Sequence, residues 1–209
     1  MSKSCCDSKS NELEQVAAKQ SRVLWVVLFI NLAMFFVEGI SGFMSKSLSL
    51  MADSLDMLGD AFVYGISLYV IGRSIKWNAR VSMIKGLVMA TFSVGVLANA
   101  IQKFLTPGIP IAETMGIVGT LALVANFICA ALLLKHRNDD LNMRSTWLCS
   151  RNDVIANLGV LGAAGAVALT SSKYPDLIVG IAIAVLVLKS AFHVLKESLR
   201  TLNEKGKVV

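Results

Sequence analysis

The sequence predicts an all-α polytopic membrane protein with six transmembrane helices and both termini in the cytoplasm. Three observations predict it. The 209 residues are 55% hydrophobic and only 16% charged, with a mean hydropathy of +0.65, whereas soluble chains carry about 25% charged residues. Six apolar segments follow one another with short polar connections between them. Basic residues crowd one side of those segments. This composition excludes a disordered chain and argues against a water-soluble enzyme. A net charge of +6 would suggest nucleic acid in a soluble protein, but in a membrane protein it reports basic cytoplasmic loops, so no nucleic-acid partner is expected. Four cysteines, with Cys5 and Cys6 adjacent, make no disulfide framework, and two histidines make no zinc finger.

Residues 1–20 are polar and mixed in charge, without the apolar core or cleavage site of a signal peptide, and are expected to form a cytoplasmic tail. The Cys5–Cys6 pair within it is a poor closed metal site and reads as incidental. The first apolar segment, Val23–Phe43, is broken only by Asn31 and Glu38. The second, Leu48–Gly72, contains Asp53, Asp56 and Asp60. The third, Val81–Ile101, has Lys85 near its start, and the fourth, Ile111–Leu134, has Glu113 at its start. The fifth, Trp147–Thr170, opens with Arg151 and Asp153; the sixth, Leu177–Leu195, holds Lys189 and His193. Each is 19 to 25 residues long, enough to cross about 30 Å of hydrocarbon. None alternates as a barrel strand would. The domains expected are the 1–20 tail, a six-helix transmembrane domain over 21–202 and a short cytoplasmic tail over 203–209.

The connections are too short for a soluble domain, and Pro107, Pro110 and Pro175 fall in them, where a missing N–H costs little. Six spans put both termini on one side. That side holds fourteen Lys and Arg, against Lys46, Lys103 and Lys173 on the other. The positive-inside rule makes the richer side cytoplasmic. Gly159, Gly162, Gly165 and Gly180 in the last two spans are expected to allow close helix packing.

Asp53, Asp56 and Asp60 lie at i, i+3 and i+7, within about 60° of each other around a helix. A carboxylate at the bilayer centre costs at least ~2.5 kcal/mol, so this face must look into the bundle toward cations, protons or basic partners. Lys85, Arg151 and Lys189 are the candidates for structural ion pairing or snorkelling. The fifth span repeats the theme, with Cys149 and Asp153 one turn apart and Asn157 one turn further. Two helices presenting Asp56/Asp60 and Cys149/Asp153 can close a four-ligand cage. Oxygen and sulfur donors of that kind suit Zn²⁺, and the thiolate favours softer ions such as Cd²⁺. Cys129 in the fourth span reads as a small buried hydrophobe.

The run from Ser45 through Asp53, Asp56 and Asp60 resembles the second helix of the cation diffusion facilitators, a family of divalent-metal/proton exporters. Its paired positions fall on Asp56 and Asp60. The fifth-helix pattern of that family falls on Cys149, Asp153 and Asn157, and Asn31, Glu38, Gly39, Pro107 and Tyr174-Pro175-Asp176 also look like its landmarks. The resemblance covers Arg22 to about Leu202. Cys149 stands where the family usually has His or Asp, the His-rich loop between helices four and five is absent, and the chain reaches Val209 without the family's cytoplasmic metal-binding domain. A minimal, membrane-only form is expected.

The resemblance implies a metal efflux transporter in the plasma membrane (the inner membrane of a bacterium), not an enzyme. It implies transported Zn²⁺ or Cd²⁺, with Co²⁺ a third candidate, proton antiport by alternating access, no resident cofactor and a homodimer in the lipid bilayer. Asp56, Asp60, Cys149 and Asp153 are the expected metal ligands, with Asp53, Asn157, Glu38 and Asn31 behind them or along the path. Two alternatives stay open: a transport-inactive scaffold or regulatory homologue, and a Mn²⁺ or Fe²⁺ exporter of the same family. An intramembrane hydrolase using Asp56 and Asp60 as a dyad has no partner motif to support it.

Overall fold

The computed structural model describes the backbone of residues 3–70, 75–135 and 141–204, and side chains over 21–66, 68, 79–80, 82–135 and 153–203. The described residues form six helices: α1 Lys3–Ser45, α2 Leu48–Val70, α3 Ile75–Leu105, α4 Ala112–Leu134, α5 Leu141–Thr170 and α6 Tyr174–Glu204. The predicted all-α, polytopic class is what the chain adopts. Most helices outrun their apolar segments, because each further turn satisfies backbone groups whether its surroundings are lipid or headgroup. Thus α1 begins at Lys3, within the expected tail, and α6 takes in Pro175, placed by the sequence in a connection. In the first turn of a helix proline's missing N–H is no loss.

Among the described residues, five helices are long and apolar enough to cross a membrane, the exception being α2. It has the length, at 23 residues, but carries three carboxylates. The packing accounts for it: α2 is held against α1, α3, α5 and α6, while α4 closes the bundle against α1 and α5. The strongest helix pairs are α1–α2, α3–α6 and α4–α5. Large apolar residues such as Phe29, Phe36, Leu87, Phe127 and Ile178 are exposed around the outside, as a lipid-facing surface requires.

One end of α2 is fixed with unusual completeness. Lys46 takes a left-handed conformation, φ 57°, and the Ser47 N–H donates back to Gly42 O at 2.9 Å, so α1 stops and the chain reverses. Ser47 then caps α2, its Oγ accepting from Leu50 N–H at 3.2 Å. Asp176, in the first turn of α6, accepts from Leu48 N–H at 2.7 Å, Ser49 N–H at 2.9 Å, and the hydroxyls of Ser47 and Ser49 at 2.7 Å each. A carboxylate at a helix N-terminus satisfies orphan donors and opposes the positive end of the dipole. The contact is tight enough that a Cβ on Gly180 would lie 2.7 Å from the Leu48 carbonyl carbon. Of the glycines expected to allow close packing, Gly180 does so, whereas Gly162 and Gly165 have open space beside them. Small residues permit close approach without enforcing it.

Replacing Asp176 by Ala would strand four buried donors. With hydrogen bonds to a charged group contributing ~1.5–3 kcal/mol each, we expect Asp176→Ala to lower the thermal unfolding midpoint in detergent markedly, with Asp176→Asn intermediate. An unchanged midpoint would show that the clasp does not hold α2.

Candidate metal centre

The acidic face of α2 looks inward, as its spacing requires. Asp53 and Asp60 are buried and Asp56 is partly so. Seven residues separate the outer two, a rise of about 10 Å along the axis, and each meets a different environment.

Asp53, nearest the clasped end, is gripped from α5. The Asn157 side-chain amide donates to both its oxygens, at 3.1 and 2.9 Å, while the Asn157 carbonyl accepts from the Asn126 amide of α4 at 3.3 Å. Asp53, Asn126 and Asn157 are each at most 1% exposed, so this relay ties α2, α5 and α4 through the core. Asn157 is thus the partner of Asp53. Asn126 was missed because a lone amide in an apolar span has no recurring partner to mark it.

Asp60, a turn past Asp56, accepts from the Tyr64 hydroxyl at 2.7 Å. Tyr64 is fully buried between α1 and α4 residues, beside Leu24, Val27, Cys129 and Leu133. Its i+4 spacing from Asp60 was the signal that could have found it. Across from α2, Asp153 of α5 lines the same cleft as Asp56 and Asp60 and acts on both electrostatically. Asp56, Asp60 and Asp153 thus border the same space without closing into a cage.

Cys149 belongs to the backbone of α5, one turn before Asp153, but its side chain lies outside the described residues, as does that of Arg151. Among the described residues, no three His, Cys, Asp or Glu side chains are drawn together as a ready-made metal site.

A cleft too narrow to admit a water molecule runs along the acids, lined by Asn31, Asp53, Asp56, Met57, Asp60, Asn126 and Asp153. Asn31 donates to Val27 O at 2.8 Å and to the Cys129 Sγ at 3.7 Å. Cys129 is wholly buried in an apolar cluster, as a small hydrophobe would be, with that one polar contact. Glu38 is 0% exposed, and neither of its carboxylate oxygens has a hydrogen-bond partner among the described residues. It feels the charges of Asp53 and Asp56.

Of the cations proposed as partners, Lys85 of α3 is buried and close enough to act on both Asp56 and Asp60. It pairs with the cluster and does not snorkel. Lys189 is exposed.

The model of the cation efflux transmembrane domain matches residues 24–203, the stretch that holds all of these side chains. Among curated proteins, the chain is 31% identical over 191 residues to the zinc transporter ZitB of Pectobacterium atrosepticum, covering 84% of this chain and 59% of that protein. It is 25% identical over 199 residues to a cadmium, cobalt and zinc/H(+)-K(+) antiporter of Bacillus velezensis, covering 88% and 63%. It is 24% identical over 197 residues to the cation efflux system protein CzcD of an Alcaligenes strain, covering 88% and 62%. The chain thus spans about six-tenths of the length of these relatives. With the family model matching nearly the whole membrane region and the acids of α2 and α5 facing one another inside it, the chain is an integral membrane protein that belongs to the cation efflux family.

Proposed function

We propose that this protein exports a divalent metal cation, Zn²⁺ or Cd²⁺ with Co²⁺ as a further substrate, in exchange for protons. The observation that carries the proposal is that Asp56 and Asp60 of α2 and Asp153 of α5 line one cleft inside the bundle. Carboxylates gathered where a bilayer makes charge costly need positive partners, and a dication or protons can supply them in turn. Metal binding releases protons because ligands must be deprotonated to coordinate. That linkage is the thermodynamic basis of exchange. Cys149, one turn from Asp153, is the proposed fourth ligand and would favour a softer ion.

Asp53, held by Asn157, is a poor ligand in this arrangement and serves to set α2 against α5. Glu38, whose oxygens have no hydrogen-bond partner among the described residues, is a second point where a proton or cation can rest on the way. Lys85 supplies part of the opposing charge while the metal is absent, and the cleft along the acids must widen for an ion to pass. That widening is the structural meaning of alternating access here. The names of the relatives support the substrate class, and one of them includes antiport with H⁺. Termini in the cytoplasm, a homodimer in a bacterial inner membrane and no resident cofactor complete the proposal.

The decisive measurement is proton-gradient-driven Zn²⁺ uptake into inverted vesicles. We expect Asp60→Ala and Asp153→Ala each to lower the initial rate to the protein-free background. Equal flux in the parent and both variants would refute transport through this cluster. The same vesicles test the thiol: Cys149→His should shift the Zn²⁺/Cd²⁺ rate ratio toward Zn²⁺, and an unchanged ratio removes Cys149 from the ligand set.

A further inference from the structure

The three basic residues that the sequence places on the face away from the termini are not scattered there. Lys46 in the α1–α2 turn, Lys103 in the last turn of α3 and Lys173 just before α6 all line one cavity of about 570 Å³. Part of the reason is local. The Lys173 ammonium donates to the carbonyls of Lys103, Phe104 and Thr106 at 2.7, 3.1 and 2.6 Å, closing the C-terminus of α3, and Lys103 Nζ donates to Lys46 O at 2.7 Å.

Neutral carbonyls satisfy N–H groups without cancelling charge. None of the three ammonium groups has an ion-pair partner among the described residues, and Lys46 Nζ has no acceptor there at all. The one acid lining the cavity, Asp176, already accepts from four donors of the α1–α2 turn and α2. The cavity therefore has two positive charges in excess. It is unsuited to a departing dication and suited to an anion.

Its walls say which kind of anion. Phe43 and Met44, at the end of α1, are 74% and 72% exposed and line the cavity with Met51 of α2, Asn99 and Gln102 of α3, and Thr106 just after α3. Both α1 and α3 pack on α2. Gly95 on α3 has nothing within 4 Å of its side-chain position. Charges at the helix ends with exposed apolar groups beside them are the arrangement that meets a headgroup and its acyl chain together. We propose that this cavity binds an anionic phospholipid, the phosphodiester between Lys46 and Lys103 and an acyl chain along Phe43 and Met44. A free phosphate would use the lysines but leave the apolar wall unexplained.

The test uses the full-length protein in detergent, offered equal amounts of phosphatidylglycerol and phosphatidylethanolamine and read by native mass spectrometry. The parent should retain phosphatidylglycerol several-fold over phosphatidylethanolamine. Lys46→Gln, which breaks no hydrogen bond of that ammonium, should cut the preference about five-fold or to parity, as expected for one basic contact. Lys46→Arg should keep it, and Arg80→Gln, elsewhere on the molecule, should leave it unchanged. No preference in the parent, or an undiminished one in Lys46→Gln, overturns the proposal. So does displacement of the lipid by millimolar inorganic phosphate, which would make the ligand a soluble anion. Retention confined to dimeric ions would instead make a second copy of the chain the occupant of the wall, and would equally overturn it.

Discussion

Three carboxylates on one helix cannot face lipid, and the arrangement of the bundle follows from that constraint. Each would cost at least ~2.5 kcal/mol at the bilayer centre, so α2 has to be enclosed. Four helices pack against it, and the five helices apolar enough to meet lipid are the remaining ones. The polar groups of the other helices then have one place to go. Asn31 and Glu38 of α1, Asn126 of α4, Asn157 of α5 and Lys85 of α3 are all buried.

The enclosure is uneven along the length of α2, and the unevenness is functional. At the end near the α1–α2 turn, Asp176 holds the first turn of α2 through four hydrogen bonds, and Gly180 lets α6 come into backbone contact. Asp53 is held one layer in by the Asn157–Asn126 relay. Beyond it the hydrogen bonding changes character. Asp56, Asp60 and Asp153 face each other across a cleft, offset by Lys85 and the Tyr64 hydroxyl. Rigid bonding positions the helix, and the carboxylates proposed to exchange protons for a metal lie past the region where it is fixed.

Charge is segregated in the same way. Carboxylates gather in the middle of the bundle, whereas the cavity at the turn end is lined by Lys46, Lys103 and Lys173. Positive potential there and negative potential at the centre cannot serve the same ligand. A dication would be repelled at the lysine-lined cavity, the site proposed here for an anionic phospholipid.

The class, the order of the helices and the inward direction of Asp53, Asp56 and Asp60 were legible from the sequence, because hydropathy and a period of 3.6 residues are local properties that lipid enforces. That Asp153 of α5 would share a space with the acids of α2 was legible for a related reason, since its carboxylate is equally unsuited to lipid. Partners across helices were not. That Asp53 would be bound by Asn157 and Asp60 by Tyr64, that Lys85 would reach the acids while Lys189 stayed outside, and that Asp176 would cap another helix all depend on which faces meet. Small differences in rotation about each helix axis decide this, and apolar surfaces tolerate many such rotations. Lys46, Lys103 and Lys173 show the difference most plainly. The sequence by itself assigned them to one face of the membrane, through the count of charges. Only the tertiary structure put them around one cavity, because residues 57 and 70 positions apart become neighbours when three helix ends converge.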